Sequence, residues 1–215
     1  MNRNRKTAVG LAVAAVLVAA GVAVAAPALA GNGPGPGDAG SPSVAGHMMD
    51  RPGHGRQDGT CLMTPDPPGG DLTSQQESTL AAIAEQHKLA RDLYAALADR
   101  YDAAIFDRIA AAQARQLAAV RTLLDRYEAD DPTDGLAAGQ FTSPQVQDTY
   151  DQLLTDGSAD LAAAMRVAQT VEQTQIAGLE EAIDGVTAPD VTMVYEHLLH
   201  ASQRHLAAFQ AWPTS

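Results

Sequence analysis

The segment SADLAAAMRVAQTVEQTQIAGLEEAIDG, residues 158–185, decides the fold. An α-helix advances by about 100° per residue, so residues three, four and seven apart share a face. On that rule Leu161, Met165, Ala168, Glu172, Gln175, Leu179 and Ile183 form one stripe, apolar at both ends and polar in the middle. Ser158 reads as the N-cap and Gly185 as the stop, which makes this a long helix with one buried face.

The neighbouring stretches repeat the pattern. Upstream, a helix starts near Thr73 or Ser74, where Ser74-x-x-Glu77 has capping-box form, and runs to about Tyr101. Its stripe is Leu80, Ile83, His87, Ala90, Tyr94 and Tyr101. A second helix, about residues 103–127, aligns Phe106, Ile109, Gln113, Gln116, Val120 and Leu124. The turn-rich ADDPTDGLAAGQFT follows, then a short helix capped by Ser143, with Pro144 at its first position, ending near Gly157. Downstream, Asp190 reads as the cap of a last long helix, which aligns Val191, Val194, Leu198, Ser202, His205, Phe209 and Trp212 and ends before Pro213. No stretch alternates convincingly with period two, and aromatic and β-branched residues are sparse. The expectation is an all-α, antiparallel four-helix bundle over residues 72–212, with a short extra helix between the second and third long ones.

Each long helix interrupts its apolar stripe with polar side chains at similar depth, although an unpaired buried polar group costs about 1–3 kcal/mol. Two arrangements account for this. In one, the glutamines, Glu172 and the two histidines hydrogen-bond one another. In the other, His87, Glu172 and His205 converge on one zinc, iron or copper ion with open coordination positions, beside a polar layer of Gln113, Gln116, Gln175 and Ser202. His197 and His200 lie off the stripe and read as solvent-facing, and Glu85 projects away from the face of His87. Lys88, Arg91 and Asp92 read as a charged helix surface or as interhelical contacts.

The rest of the chain concerns destination. Residues 1–30 place Arg3, Arg5 and Lys6 before a long apolar run closing on Ala28-Leu29-Ala30, the form of a cleaved secretory signal peptide. The expected destination is secreted, periplasmic or cell-envelope, with no membrane anchor after cleavage. Residues 31–71 are rich in Gly, Pro, Asp and Ser and show no apolar period, so they read as a disordered linker. Within it His47, Met48, Met49 and His54 offer copper-type ligands. Cys61 is the lone cysteine and excludes an internal disulfide. Loss of a leader with three basic and no acidic residues takes the formal charge from −12 to −15, which argues against a nucleic-acid partner. There is no phosphate-binding glycine loop, serine nucleophile elbow or zinc-finger spacing.

The runs HKLARDLYAAL, IFDRIAAAQARQLAAVRTLLDRY, VEQTQIAGLEEAI and VYEHLLHASQRHLAAF resemble the ferritin-like family known as domain of unknown function 2202, over about residues 78–210. The resemblance implies that fold. It also implies a di-iron ligand pattern from which this chain departs: a glutamate is usual where His87 stands, and Glu-x-x-His where Gln113 and Gln116 stand. Glu172 and His205 carry over. One interior carboxylate is too few to balance two iron ions. The functional expectation is therefore an exported, non-catalytic module that binds a protein or small-molecule partner and holds no cofactor. The alternative is a metalloprotein holding one iron, zinc or copper ion for metal handling or oxidative chemistry.

Overall fold

The computed structural model describes residues 69–213. The leader, nearly all of residues 31–71, Cys61 and the His/Met-containing tail lie outside the described residues. Within them the chain is all-helical, with no strand: α1 (Ser74–Arg100), α2 (Ala104–Arg126), α3 (Pro144–Gly157), α4 (Leu161–Asp184) and α5 (Pro189–Gln210). No described helix is long and apolar enough to cross a membrane.

Three caps differ from the sequence reading, each for a local reason. The α1 capping box uses Thr73 and Gln76 rather than Ser74 and Glu77: the Thr73 hydroxyl accepts from the Gln76 amide N–H, and Gln76 Oε1 accepts from the Thr73 N–H. The Gln76 carboxamide also donates to the Gly185 carbonyl at 2.8 Å, a bond a carboxylate could not make, and so ties the start of α1 to the end of α4. Ser158 closes α3, which leaves the N-cap of α4 to Asp160, whose Oδ1 accepts the Ala163 N–H at 2.6 Å. Pro189 opens α5 after an Ala188 cap that makes no side-chain bond. Asp190 instead accepts from Tyr127 and Arg126 as well as from its neighbour Val191, placing an anion in the first turn of α5 and joining it to α2.

Side-chain registers fix the helix directions. His87 meets Gln113 and Tyr94 meets Phe106, so α1 and α2 are antiparallel. Gln175 meets Ser202 and Glu172 lies beside His205, so α4 and α5 are antiparallel. Tyr94 bonds Glu172 and Gln175 bonds the Gln86 carbonyl, which sets α4 against the direction of α1. Phe106 against Phe209 and Arg126 against Asp190 do the same for α2 and α5. Chain reversal from α1 to α2 takes only a few residues, whereas the α2–α4 connection is long and carries α3, which packs on α1 and α4.

Burial divides into two apolar clusters. One gathers Leu93, Tyr94, Leu97, Phe106, Met165 and Phe209, and the other Leu80, Ile83, Leu117, Leu124, Leu179 and Leu198. Along every long helix the polar breaks in the stripes fall between these clusters, and the Tyr94 ring lies in the first cluster with its hydroxyl reaching Glu172. Full burial of a leucine-sized side chain stabilises by about 1.5–3 kcal/mol, so the two slabs hold the helices at a spacing that leaves one polar layer at mid-height.

Candidate functional site

Each long helix gives two side chains to the layer, three residues apart except on α1, where they are seven apart: His87 and Tyr94 on α1, Gln113 and Gln116 on α2, Glu172 and Gln175 on α4, Ser202 and His205 on α5. Such spacings put both members on one face. All are buried except His205, which is intermediate and whose side chain keeps 13% of its exposure.

Glu172 sets the hydrogen-bond directions. Its Oε1 accepts from the Tyr94 hydroxyl at 3.0 Å and from Gln113 Nε2 at 3.1 Å. A carboxylate oxygen cannot face an amide oxygen favourably, so the amide of Gln113 is turned with its nitrogen toward Glu172 and Oε1 toward His87. His87 Nδ1 lies 2.6 Å from that oxygen and must donate, which fixes the Nδ1–H tautomer. Gln113 Nε2 also donates to Gln175 Oε1 at 3.0 Å, and Gln175 Nε2 returns a bond to Gln113 Oε1 at 3.4 Å. Gln175 Oε1 takes a further bond from the Ser202 hydroxyl, and its amide nitrogen donates to the Gln86 carbonyl. The 3.5 Å approach of Gln175 Nε2 to His87 Nδ1 therefore sets two donors side by side and is no bond.

Burial pushes the His87 imidazole below the usual histidine range and the nearby His205 adds to this, while the Gln113 bond and the Glu172 charge pull the other way. The neutral ring matches the tautomer fixed by Gln113. Burial, and then the Glu172 charge and hydrogen bond, hold the Tyr94 hydroxyl well above the usual tyrosine range, so it stays a donor.

His205 Nδ1 stands 3.5 Å from Glu172 Oε1, within ion-pair reach, yet it makes no hydrogen bond. Gln116 Oε1 and Glu172 Oε2 are likewise buried without a hydrogen-bond partner. Of the expected ligand set, then, Glu172 and His205 are neighbours, while His87 reaches Glu172 through Gln113. Among the described residues no group of three or more His, Cys, Asp or Glu side chains is placed to hold a metal ion.

Of the other polar positions, one agrees with the sequence reading and the Lys88–Asp92 pair is placed differently from it. His200 is exposed and bonded to Gln203. Glu85 is half-buried against the Ser143 backbone. Lys88 and Asp92, read as helix surface or interhelical contacts, are both buried and bond to the α2–α3 connection. Their i,i+4 spacing was a signal of pairing, but nothing local in the sequence says that a loop will cover them.

A family model described as an uncharacterized protein domain, DUF2202, matches residues 76–212. The uncharacterized protein MJ0754 of Methanocaldococcus jannaschii is 32% identical over 142 residues, 66% of this chain and 77% of that protein. The crystal structure of hypothetical protein MJ0754 from Methanococcus jannaschii superposes with a TM-score of 0.65 at 31% identity, covering 67% of this chain and 82% of that one.

Proposed function

Because the chain belongs to the uncharacterized DUF2202 family, we propose that it is an exported ferritin-like bundle whose interior carries a hydrogen-bonded polar network where a di-iron centre would stand, and that it serves as a non-catalytic binding module of the cell envelope. The observation that carries the reading is Gln113 at the centre of the layer, joined to His87, Glu172 and Gln175. An amide there supplies hydrogen bonds in both directions and no charge. Two cations need several carboxylates to balance them, and the layer offers Glu172 alone, so its residues do not fit a di-iron centre. The single long crossover, with α1 on α2 and α4 on α5, is the connection pattern of ferritin-like folds and supports that part of the proposal. The leader of residues 1–30 supports export, and the acidic balance favours a basic or cationic partner over nucleic acid.

A second reading places one iron, zinc or copper ion at His87, Glu172 and His205. It is favoured by Glu172 Oε2 and His205 Nδ1, two Lewis-basic atoms buried without partners, and by the His87 tautomer. A histidine that gives Nδ1–H to a carbonyl leaves Nε2 as a ligand, as metal-bound histidines commonly do. Elemental analysis of residues 31–215, purified without a metal-affinity tag and after attempted reconstitution, separates the two. No stoichiometric metal is the expected result. About one equivalent in the parent, lost in His87→Ala/His205→Ala, would replace the first reading with the second.

A further inference from the structure

Lys88 has no exposed surface, which for a lysine demands that every proton on its ammonium be met. Its Nζ donates to Asp92 Oδ2 at 2.6 Å and to the Ala137 carbonyl at 2.8 Å, and lies 4.5 Å from the centroid of the Phe141 ring. Asp92 Oδ2 also accepts the Gly139 N–H at 3.0 Å, and its Oδ1 accepts from Arg91 at 2.7 Å. Within the covering segment Phe141 N–H donates to Gln147 Oε1 and Gln147 Nε2 donates to the Gly139 carbonyl, while the Phe141 ring rests 5.4 Å from that of Tyr150, farther along α3. Just before it, Thr133 is anchored to Arg121 of α2. Between anchor and cover stands Gly135, at φ +64° with open space around it.

We infer that residues 136–147 form a strap, hinged at Gly135 and fastened to α1 over the Lys88–Asp92 pair, that opens as a unit while the long helices stay packed. The reason is where the charges reside. Both members of the ion pair, and the Arg91 that completes it, belong to α1, and the strap contributes a carbonyl, an amide and a ring, all neutral. Lifting the strap lets water replace those neutral groups and leaves the pair intact as an ordinary i,i+4 contact. Had the pair been split between α1 and the strap, opening would strand a charge on each side. The fold thus holds this segment closed without making its release a charge separation, the condition for a low-lying local opening.

Hydrogen exchange on the full-length chain tests this. The amides of Gly139 and Phe141 should exchange about 100-fold faster than those of Leu93 and Leu117 in the two apolar clusters, with thermolysin making its first cut within residues 136–142. In Asp92→Asn the ammonium loses its anion beneath the strap, and strap exchange should accelerate about 10-fold further, with little change at Leu117. Should that variant not fold, Phe141→Leu keeps apolar bulk but removes the ring from the ammonium, and should speed strap exchange a few-fold. Strap amides that exchange together with the core, or a first cut elsewhere in residues 69–213, would overturn the inference.

Discussion

Replacing Gln113 by leucine removes the centre of the polar layer. His87 would lose the acceptor for its buried Nδ1–H, and Glu172 Oε1 would keep Tyr94 but lose its second donor. Gln175 would still have Ser202 and the Gln86 carbonyl. An orphaned buried donor costs about 1–3 kcal/mol, and a hydrogen bond to a charged group contributes about 1.5–3 kcal/mol. Leucine in place of glutamine returns about 1–2 kcal/mol through apolar burial. The net expectation is a loss of about 2–4 kcal/mol, read in urea unfolding as a lower midpoint at unchanged slope. Gln113→Glu is the matched control. It keeps shape but sets a second carboxylate 3.1 Å from Glu172, where like charges repel unless a proton is shared, so its deficit should shrink as the solution is acidified from neutrality. A Gln113→Leu chain as stable as the parent, or more so, would refute the reasoning, since an apolar plug would then serve as well as the network.

Other consequences are measurable in the same way. His87 has a folded pKa below its unfolded one, so the unfolded chain binds more protons between the two values; stability should fall as pH drops below about 6.5, the unfolded histidine value. A His87→Gln variant followed by urea unfolding at several pH values should lose most of that dependence, and an unchanged slope would assign it elsewhere. Leu97→Ala removes a side chain with no exposed surface from the cluster around Tyr94 and should cost about 2–5 kcal/mol in chemical denaturation. Glu128 holds φ +52° just past α2, a conformation that costs an L-residue about 1–2 kcal/mol. Glu128→Gly should therefore raise stability by about 0.5–1 kcal/mol after its own entropy cost, read as a higher denaturation midpoint, and a lower midpoint would show that the glutamate side chain matters there.

Much of the fold was legible because helix period and capping chemistry are local. The stripe through Leu161, Met165, Ala168, Glu172, Gln175 and Leu179 requires only the geometry of one helix, and so does the mid-helix break in it. Those two facts yield the helix count, the buried face and the composition of the polar layer. Cap choice at residues 73, 160 and 190 escaped the same reasoning because each depends on a partner from another element. Gln76 is recruited by the Gly185 carbonyl, Ser158 is consumed by α3, and Asp190 is drawn to Tyr127 and Arg126.

What sequence alone determined is thus which side chains turn inward and at what height. The tertiary structure decided how they pair. Gln113 bridges His87 to Glu172 because α1 packs beside both α2 and α4, and only the register of the helices sets those distances. Lys88 and Asp92 show the same division most sharply: their spacing marks a pair, but burial came from a loop about fifty residues downstream. Hydrogen bonds and desolvation act over a few ångströms, so their outcome belongs to whatever the chain brings that close.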